Sequence, residues 1–216
     1  MGVASLVAGL VLAACSSKPP APEWQMNAKG SAERATEAWL QGNSVIESAE
    51  FARVRRELTS TGRADLLARA ELLRCATRVA ALVFEPCTGF DALAQDAAPA
   101  EQAYARYLAG TAQPSDAALL PQAQRALLGA GAPETALAAV EDPLSRLVAA
   151  GVLLRNGRAT PAVLNQAVDT ASAQGWRRPL AAWLTLQQQR AQAAGAQEEA
   201  ARLQRRIDLV LGTASR

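Results

Sequence analysis

WRRPLAAWLTLQQQRAQAAGAQEEAARLQRRIDLVL, residues 176–211, carries the reading from which the fold follows. Behind Trp176 and Pro179, the residues Leu180, Ala181, Trp183 and Leu184 fall on one face at helical spacing. Gly195 then breaks the pattern, and Ala200, Leu203, Ile207 and Leu211 resume it. Two helices joined by a short glycine turn form an αα-hairpin, here predicted over 177–194 and 196–211.

Working outward, the rest of the chain has the same character. Half of its 216 residues are apolar but only 4% are aromatic, and alanine dominates the apolar set. Alanine loses no side-chain entropy in a helix and lets helices approach closely. No period-two segment of strand length stands out, so an all-α fold with a thin, tightly packed core is expected. Further helices are predicted over 31–41, with Ser31 as N-cap, over 44–59 behind Ser44, and over 63–84, the segment expected to be most buried. Residues 86–98 read as loop or short helix, and 100–108 as helix. Pro121, Pro133, Pro143 and Pro161 each suit an early helical position. They divide the remainder into helices over 115–120, 121–129, 133–141, 142–156 and 161–174. Single glycines, Gly151 among them, read as punctuation at or near helix ends. The small residues set against Leu and Trp over Ala181–Leu211 resemble tetratricopeptide-like helical repeats. No register of about 34 residues runs along the chain, as a regular array of that family would require. Helical hairpins in an irregular solenoid or bundle are therefore expected.

Residues 1–14 are uncharged, apolar and small. At about 1.5 Å per residue they would cover roughly 21 Å, short of a bilayer core of about 30 Å, so they read as a signal-peptide core. They lead into Leu12-Ala13-Ala14-Cys15, which resembles the lipobox of bacterial lipoproteins. That resemblance implies lipidation and palmitoylation at Cys15, after removal of residues 1–14. It departs from the family in carrying no Lys or Arg ahead of the apolar run. Ser16, where Asp would retain many such proteins at the inner membrane, implies an outer-membrane address facing the periplasm. Ser16 to Glu23 holds two serines, a lysine and three prolines, a composition that extends rather than coils. The expected organisation is thus a signal peptide (1–14), a lipidated Cys15 with a flexible tether (15–29), and an all-helical periplasmic domain (30–216).

With Cys15 assigned to lipid, Cys75 and Cys87 remain as a possible disulfide, since the periplasm is oxidising. Bridged Cα atoms lie about 4.4–6.8 Å apart. An unbroken helix from Cys75 to Glu85 would instead separate its ends by about 15 Å. A bridge therefore requires the helix to stop near Ala80 or Ala81; otherwise one thiol is buried and the other sits in a loop.

The sequence offers little to catalysis. It contains no histidine, which removes the commonest general base and the commonest zinc ligand. It shows no phosphate-cradling glycine loop and no metal-ligand spacing, so no catalytic residue, metal or cofactor is expected. The net charge of +2 is too mild to point to nucleic acid. Glu198-Glu199 and Glu141-Asp142 are adjacent carboxylates, but consecutive helical positions diverge by about 100°, so they read as solvated faces. Trp176, Arg177 and Arg178, with Arg202 and Arg206 on the last helix, form the candidate partner-binding group. Trp and Arg are the residue types most often found at interface hot spots; a core Trp beside a solvated Arg face is the plainer alternative. The Arg53-Arg55-Arg56 group reads the same way. The expectation is a non-enzymatic, membrane-anchored scaffold whose partner is another envelope protein. A small-molecule or lipid carrier, or an accessory domain of a cell-wall enzyme, is the alternative.

Overall fold

A computed structural model describes residues 21–129 and 131–213, and every regular element among them is helical. Residues 1–14, expected as a signal peptide, and Cys15 lie outside the described residues.

The first helix, α1, spans Glu23–Leu40. It starts eight residues ahead of Ser31, which is 3% exposed in mid-helix rather than an N-cap. Residues 23–29, expected as tether, are therefore helical, and Ala28 is buried. Pro22 stands at the N-cap with φ −53°, its missing N–H costing nothing at a helix start, and Glu23 complements the helix dipole. α2 (Ser44–Thr59) is capped by Asn43, not Ser44: the Asn43 Oδ1 accepts the Ile46 N–H at 3.1 Å.

α3 spans Ala64–Ala80 and ends four residues before the apolar pattern suggests. Leu82 takes a left-handed φ of +61°, and the Val83 N–H returns to the Arg78 carbonyl at 2.9 Å, which closes the helix. The chain then folds back and a disulfide joins Cys75 to Cys87, with Cα atoms 5.9 Å apart.

α4 (Thr88–Asp91), α5 (Pro99–Ala109), a 3-10 helix (Pro114–Leu119), α6 (Gln122–Leu127) and α7 (Pro133–Ala138) form the short middle of the molecule. α8 (Pro143–Arg155), α9 (Pro161–Ala173), α10 (Arg177–Ala193) and α11 (Gln197–Leu211) follow. Pro99, Pro114, Pro133, Pro143 and Pro161 occupy first-turn positions, whereas Pro121 is the N-cap of α6.

α1 and α2 form a hairpin that rests on α3. α3 packs in turn on α5 and α8, and α8 on α9, while α9, α10 and α11 follow as successive neighbours. α1 also meets α10, so the chain closes on itself. α8, not the 63–84 segment, is the most enclosed helix: Leu147 to Leu153 are all buried. Gly151 is accordingly a mid-helix contact rather than punctuation. A Cβ there would lie 2.4 Å from the Val79 carbonyl oxygen of α3. The paired helices have 18 and 16, 13 and 13, and 17 and 15 residues, with the 17-residue α3 and several shorter pieces between the first two pairs, so the array has no constant repeat.

The end of α3 is the joint of the molecule. Its last-turn carbonyls at Thr77 and Ala80 have no successors in the helix. The Trp39 indole of α1 donates to Thr77 O at 3.0 Å, and the Trp183 indole of α10 donates to Ala80 O at 3.1 Å. Both bonds are buried.

Candidate functional site

Trp176, Arg177 and Arg178 open α10 and are engaged within the chain. The Trp176 indole donates to Glu37 Oε2 at 3.1 Å, and the Arg177 Nε donates to Val210 O at 3.0 Å. Arg178 donates from Nε to Trp39 O and from Nη2 to Ser44 Oγ, each at 2.8 Å. Its guanidinium also lies 3.8 Å from the Trp39 ring centroid. Trp39 O and Val210 O are carbonyls near helix C-termini, where the dipole favours a cation. Trp176 and Arg178 thus fasten α10 to α1 and α2, while the exposed Arg177 reaches across to α11.

Trp39 carries a second guanidinium, Arg78 at 4.1 Å, and Arg74 lies 4.5 Å from the Phe51 ring. Between these arginines sits Glu47, 3% exposed, accepting from Arg74 at 2.7 Å and from Arg78 at 3.2 Å. Burial alone would push the Glu47 carboxyl up; the hydrogen bonds and charges of Arg74 and Arg78 outweigh it and hold it below the ordinary value. Glu71 shows the opposite balance: burial raises it despite the charges of Arg55, Arg74 and Arg78. Its Oε1 accepts from Arg55 at 2.5 Å. Glu50 binds Arg34 and Arg53, each at 2.9 Å. Arg53 and Arg55 therefore neutralise buried carboxylates, a role invisible in the Arg53-Arg55-Arg56 run itself.

Arg202 and Arg206 remain at the surface. They line an open groove of about 490 Å³ between α9, α10 and α11, with Leu164, Val168 and Leu203 forming its apolar part. Arg202 pairs with Glu199 at 2.7 Å, and Arg190 donates to Ala159 O at the other side. Arg206 makes no hydrogen bond among the described residues, although its charge helps lower Glu199. Both carboxylate pairs serve locally. Glu199 holds Arg202, and Asp142 Oδ2 caps α8 by accepting the Ser145 N–H at 2.7 Å.

A second groove, of about 260 Å³, lies between α3, α5 and the 3-10 helix. Its lining includes Leu73 and Leu119, two of the exposed large apolar side chains, and the buried Glu101. Sequence reasoning passed over it because Leu73 and Glu101 each look like one more position in an amphipathic helix. The one local hint is the adjacent pair Leu119-Leu120, of which only one can face the core; the structure buries Leu120 and leaves Leu119 exposed.

No group of three or more Cys, Asp or Glu side chains able to hold a metal ion occurs among the described residues. Nor is any helix among them long and apolar enough to cross a membrane. No protein-family model, curated protein or solved structure matches this chain.

Proposed function

We propose that this chain is a lipid-anchored, non-catalytic scaffold of the bacterial cell envelope, held at the outer membrane through Cys15 and presenting its helical body to another envelope protein. One observation carries the reading: the division of the three cysteines. Cys75 and Cys87 are bridged to each other, and the third stands at the foot of an apolar run in Leu12-Ala13-Ala14-Cys15. Structural disulfides belong to oxidising compartments. A lone cysteine placed as in a lipobox supplies the thiol that takes a diacylglyceryl group, and two or more acyl chains give stable attachment. The α9–α11 groove, with Arg202 and Arg206 at its edge, is the face assigned to the partner, since Trp176 and Arg178 already bind α1 and α2 within the chain.

Intact mass and membrane fractionation of the protein from its own host, beside a Cys15→Ser variant, test this. Acyl mass on a chain beginning at Cys15, recovered with the outer membrane and lost in the variant, is the expected result. A soluble, unmodified chain retaining residues 1–14 overturns it. Crosslinking from a photoreactive residue at Arg206 then reports the partner.

A further inference from the structure

The smaller groove combines features that neither packing nor solvent exposure accounts for. Leu72, Leu73, Tyr104, Leu119 and Pro121 make it apolar, and Leu73 and Leu119 leave it open, at 36% and 42% exposure. They come from α3, α5, the 3-10 helix and the N-cap of α6, so the slot is a product of the fold and not of one amphipathic stripe. Glu101 also lines it and is 6% exposed. One carboxylate oxygen, Oε1, accepts from the Arg69 Nε, and the other, Oε2, is buried with no hydrogen-bond partner. Native proteins rarely leave a buried acceptor unpaired, so such an oxygen marks a place where a donor belongs. Glu101 lines the groove, and the terminal torsion of a glutamate is soft, so a turn of the carboxylate brings an acceptor oxygen to an occupant there.

These features define the occupant. About 260 Å³ falls just below the range of roughly 300–1,000 Å³ usual for drug-sized ligands, which suits one large side chain. The walls ask for an apolar body, and the carboxylate, an acceptor only, asks for a donor at its tip. Arg69 already balances the charge of Glu101, so the donor need not be a cation. Arg69, 62% exposed, also places a guanidinium at the groove, where an aromatic face is attracted to it. An indole or a phenol meets each requirement. We infer that the α3–α5 groove receives an aromatic side chain bearing a ring N–H or O–H, tryptophan or tyrosine, from a partner polypeptide, with Glu101 accepting its hydrogen bond. The inference rests on the scaffold reading in taking the donor to belong to a polypeptide.

The test uses the purified full chain, isotope-labelled, titrated by amide NMR with 3-methylindole. A parallel titration uses 3-methylbenzothiophene, which keeps the shape and replaces the N–H by sulfur. Shifts are expected at Leu72, Glu101, Tyr104 and Leu119, with the benzothiophene about tenfold weaker for want of the charge-assisted bond. Leu119→Arg blocks the groove from an exposed position, so it leaves the fold intact and abolishes both titrations. Glu101→Gln, which keeps the shape, narrows the preference for indole. Equal affinities for the two probes overturn the role of Glu101, and no shift at these amides up to about 10 mM overturns the groove as a site. If both probes bind as expected, a tryptophan peptide that fails to compete overturns the polypeptide occupant in favour of a small aromatic ligand. None of these readouts involves Cys15. A chain found without lipid overturns the proposed anchor and leaves the groove standing, and an inert groove leaves the anchor standing.

Discussion

The two ends of the chain bury different things. Where α1 and α2 meet α3, the interface encloses carboxylates beside a small apolar cluster around Phe51, Val54 and Leu67: Glu47, Glu50 and Glu71 are each below 9% exposed, and each is held by at least one arginine. Where α8, α9, α10 and α11 meet, the enclosed side chains are mainly Leu, Val, Ala, Ile and Trp, and among the few polar groups the buried Thr170 hydroxyl donates to Gln166 O at 2.7 Å. A buried ion pair repays desolvation only when its geometry is good, so it does more to set which helix lies against which than to add stability. Apolar burial contributes about 25 cal/mol per Å² without directional demands. The comparison teaches that the C-terminal helices hold the fold together and that the N-terminal hairpin is set in place on α3 by charge.

The largest expected effect breaks the apolar side. Trp183 is fully buried, and its indole bonds to Ala80 O. Trp183→Ala removes both packing and donor and should cost about 3–5 kcal/mol in urea unfolding. A loss below about 1 kcal/mol would mean that the C-terminal helices do not carry the stability assigned to them.

Glu47 tests the polar side. Glu47→Gln leaves Arg74 and Arg78 without their carboxylate. Because their side chains keep 31% and 18% exposure, the expected loss is about 2–3 kcal/mol, under the range for a fully buried pair. If charge specifies placement rather than stability, replacing all three residues by Leu and Met, which retain the contacts with Phe51 and Trp39, should recover most of that loss.

pH sharpens the same point, because Glu47 and Glu71 have opposite signs. The Glu47 carboxyl is lowered from 4.5, so its contribution is complete above the ordinary glutamate range and disappears as pH falls through the lowered value. Glu71 is raised from 4.5, so its contribution is present below the ordinary range and is lost as pH rises through the raised value. These two residues should therefore add stability as pH falls through the raised Glu71 value and remove it as pH falls further, through the lowered Glu47 value. Glu71→Gln should flatten the first limb and Glu47→Gln the second, both read from urea midpoints. The same limbs unchanged in the variants would remove these two residues from the account.

How much of this was legible depends on how far apart the partners are in sequence. The α10–α11 hairpin begins and ends within a residue or so of its expected limits, because Gly195 and the spacing around Trp183 and Leu203 are local signals. The start of α1 was not legible. Ser31 resembles a cap, and what buries it is the packing of α2 against α1. The end of α3 was legible only conditionally, through the reach of a Cys75–Cys87 bridge; the turn at Leu82 has no glycine to announce it. At the candidate site, Arg178 looked free because its partners Trp39 and Ser44 lie 139 and 134 residues away.

Gly151 links the two regions, since α8 crosses α3 there at close range. The obstructing atom is a backbone oxygen, which cannot swing aside as the tip of a side chain would. Gly151→Ala should therefore cost about 1–3 kcal/mol through displacement of α3, despite alanine's better helix propensity. A stabilised variant, by thermal or urea unfolding, would show that the crossing can widen freely and that the two halves are less tightly joined than this geometry requires.

The smallest effect concerns the seam itself. Arg178 reaches from α10 to Trp39 O and Ser44 Oγ and stacks on the Trp39 ring, but it is partly exposed and each contact is modest. Arg178→Met keeps the stem against the indole and loses the hydrogen bonds and the cation, an expected cost of about 1 kcal/mol. Placement should suffer more than stability. If charge positions the hairpin, amide exchange in α1 and α2 should quicken in Arg178→Met while α8 and α9 stay protected, since the apolar half does not depend on the seam. Trp176→Phe, which loses only the exposed bond to Glu37, should change exchange less than Arg178→Met does. Uniform acceleration through all helices would instead show that the molecule opens as one unit, and the division between a charge-placed hairpin and an apolar body would not survive it.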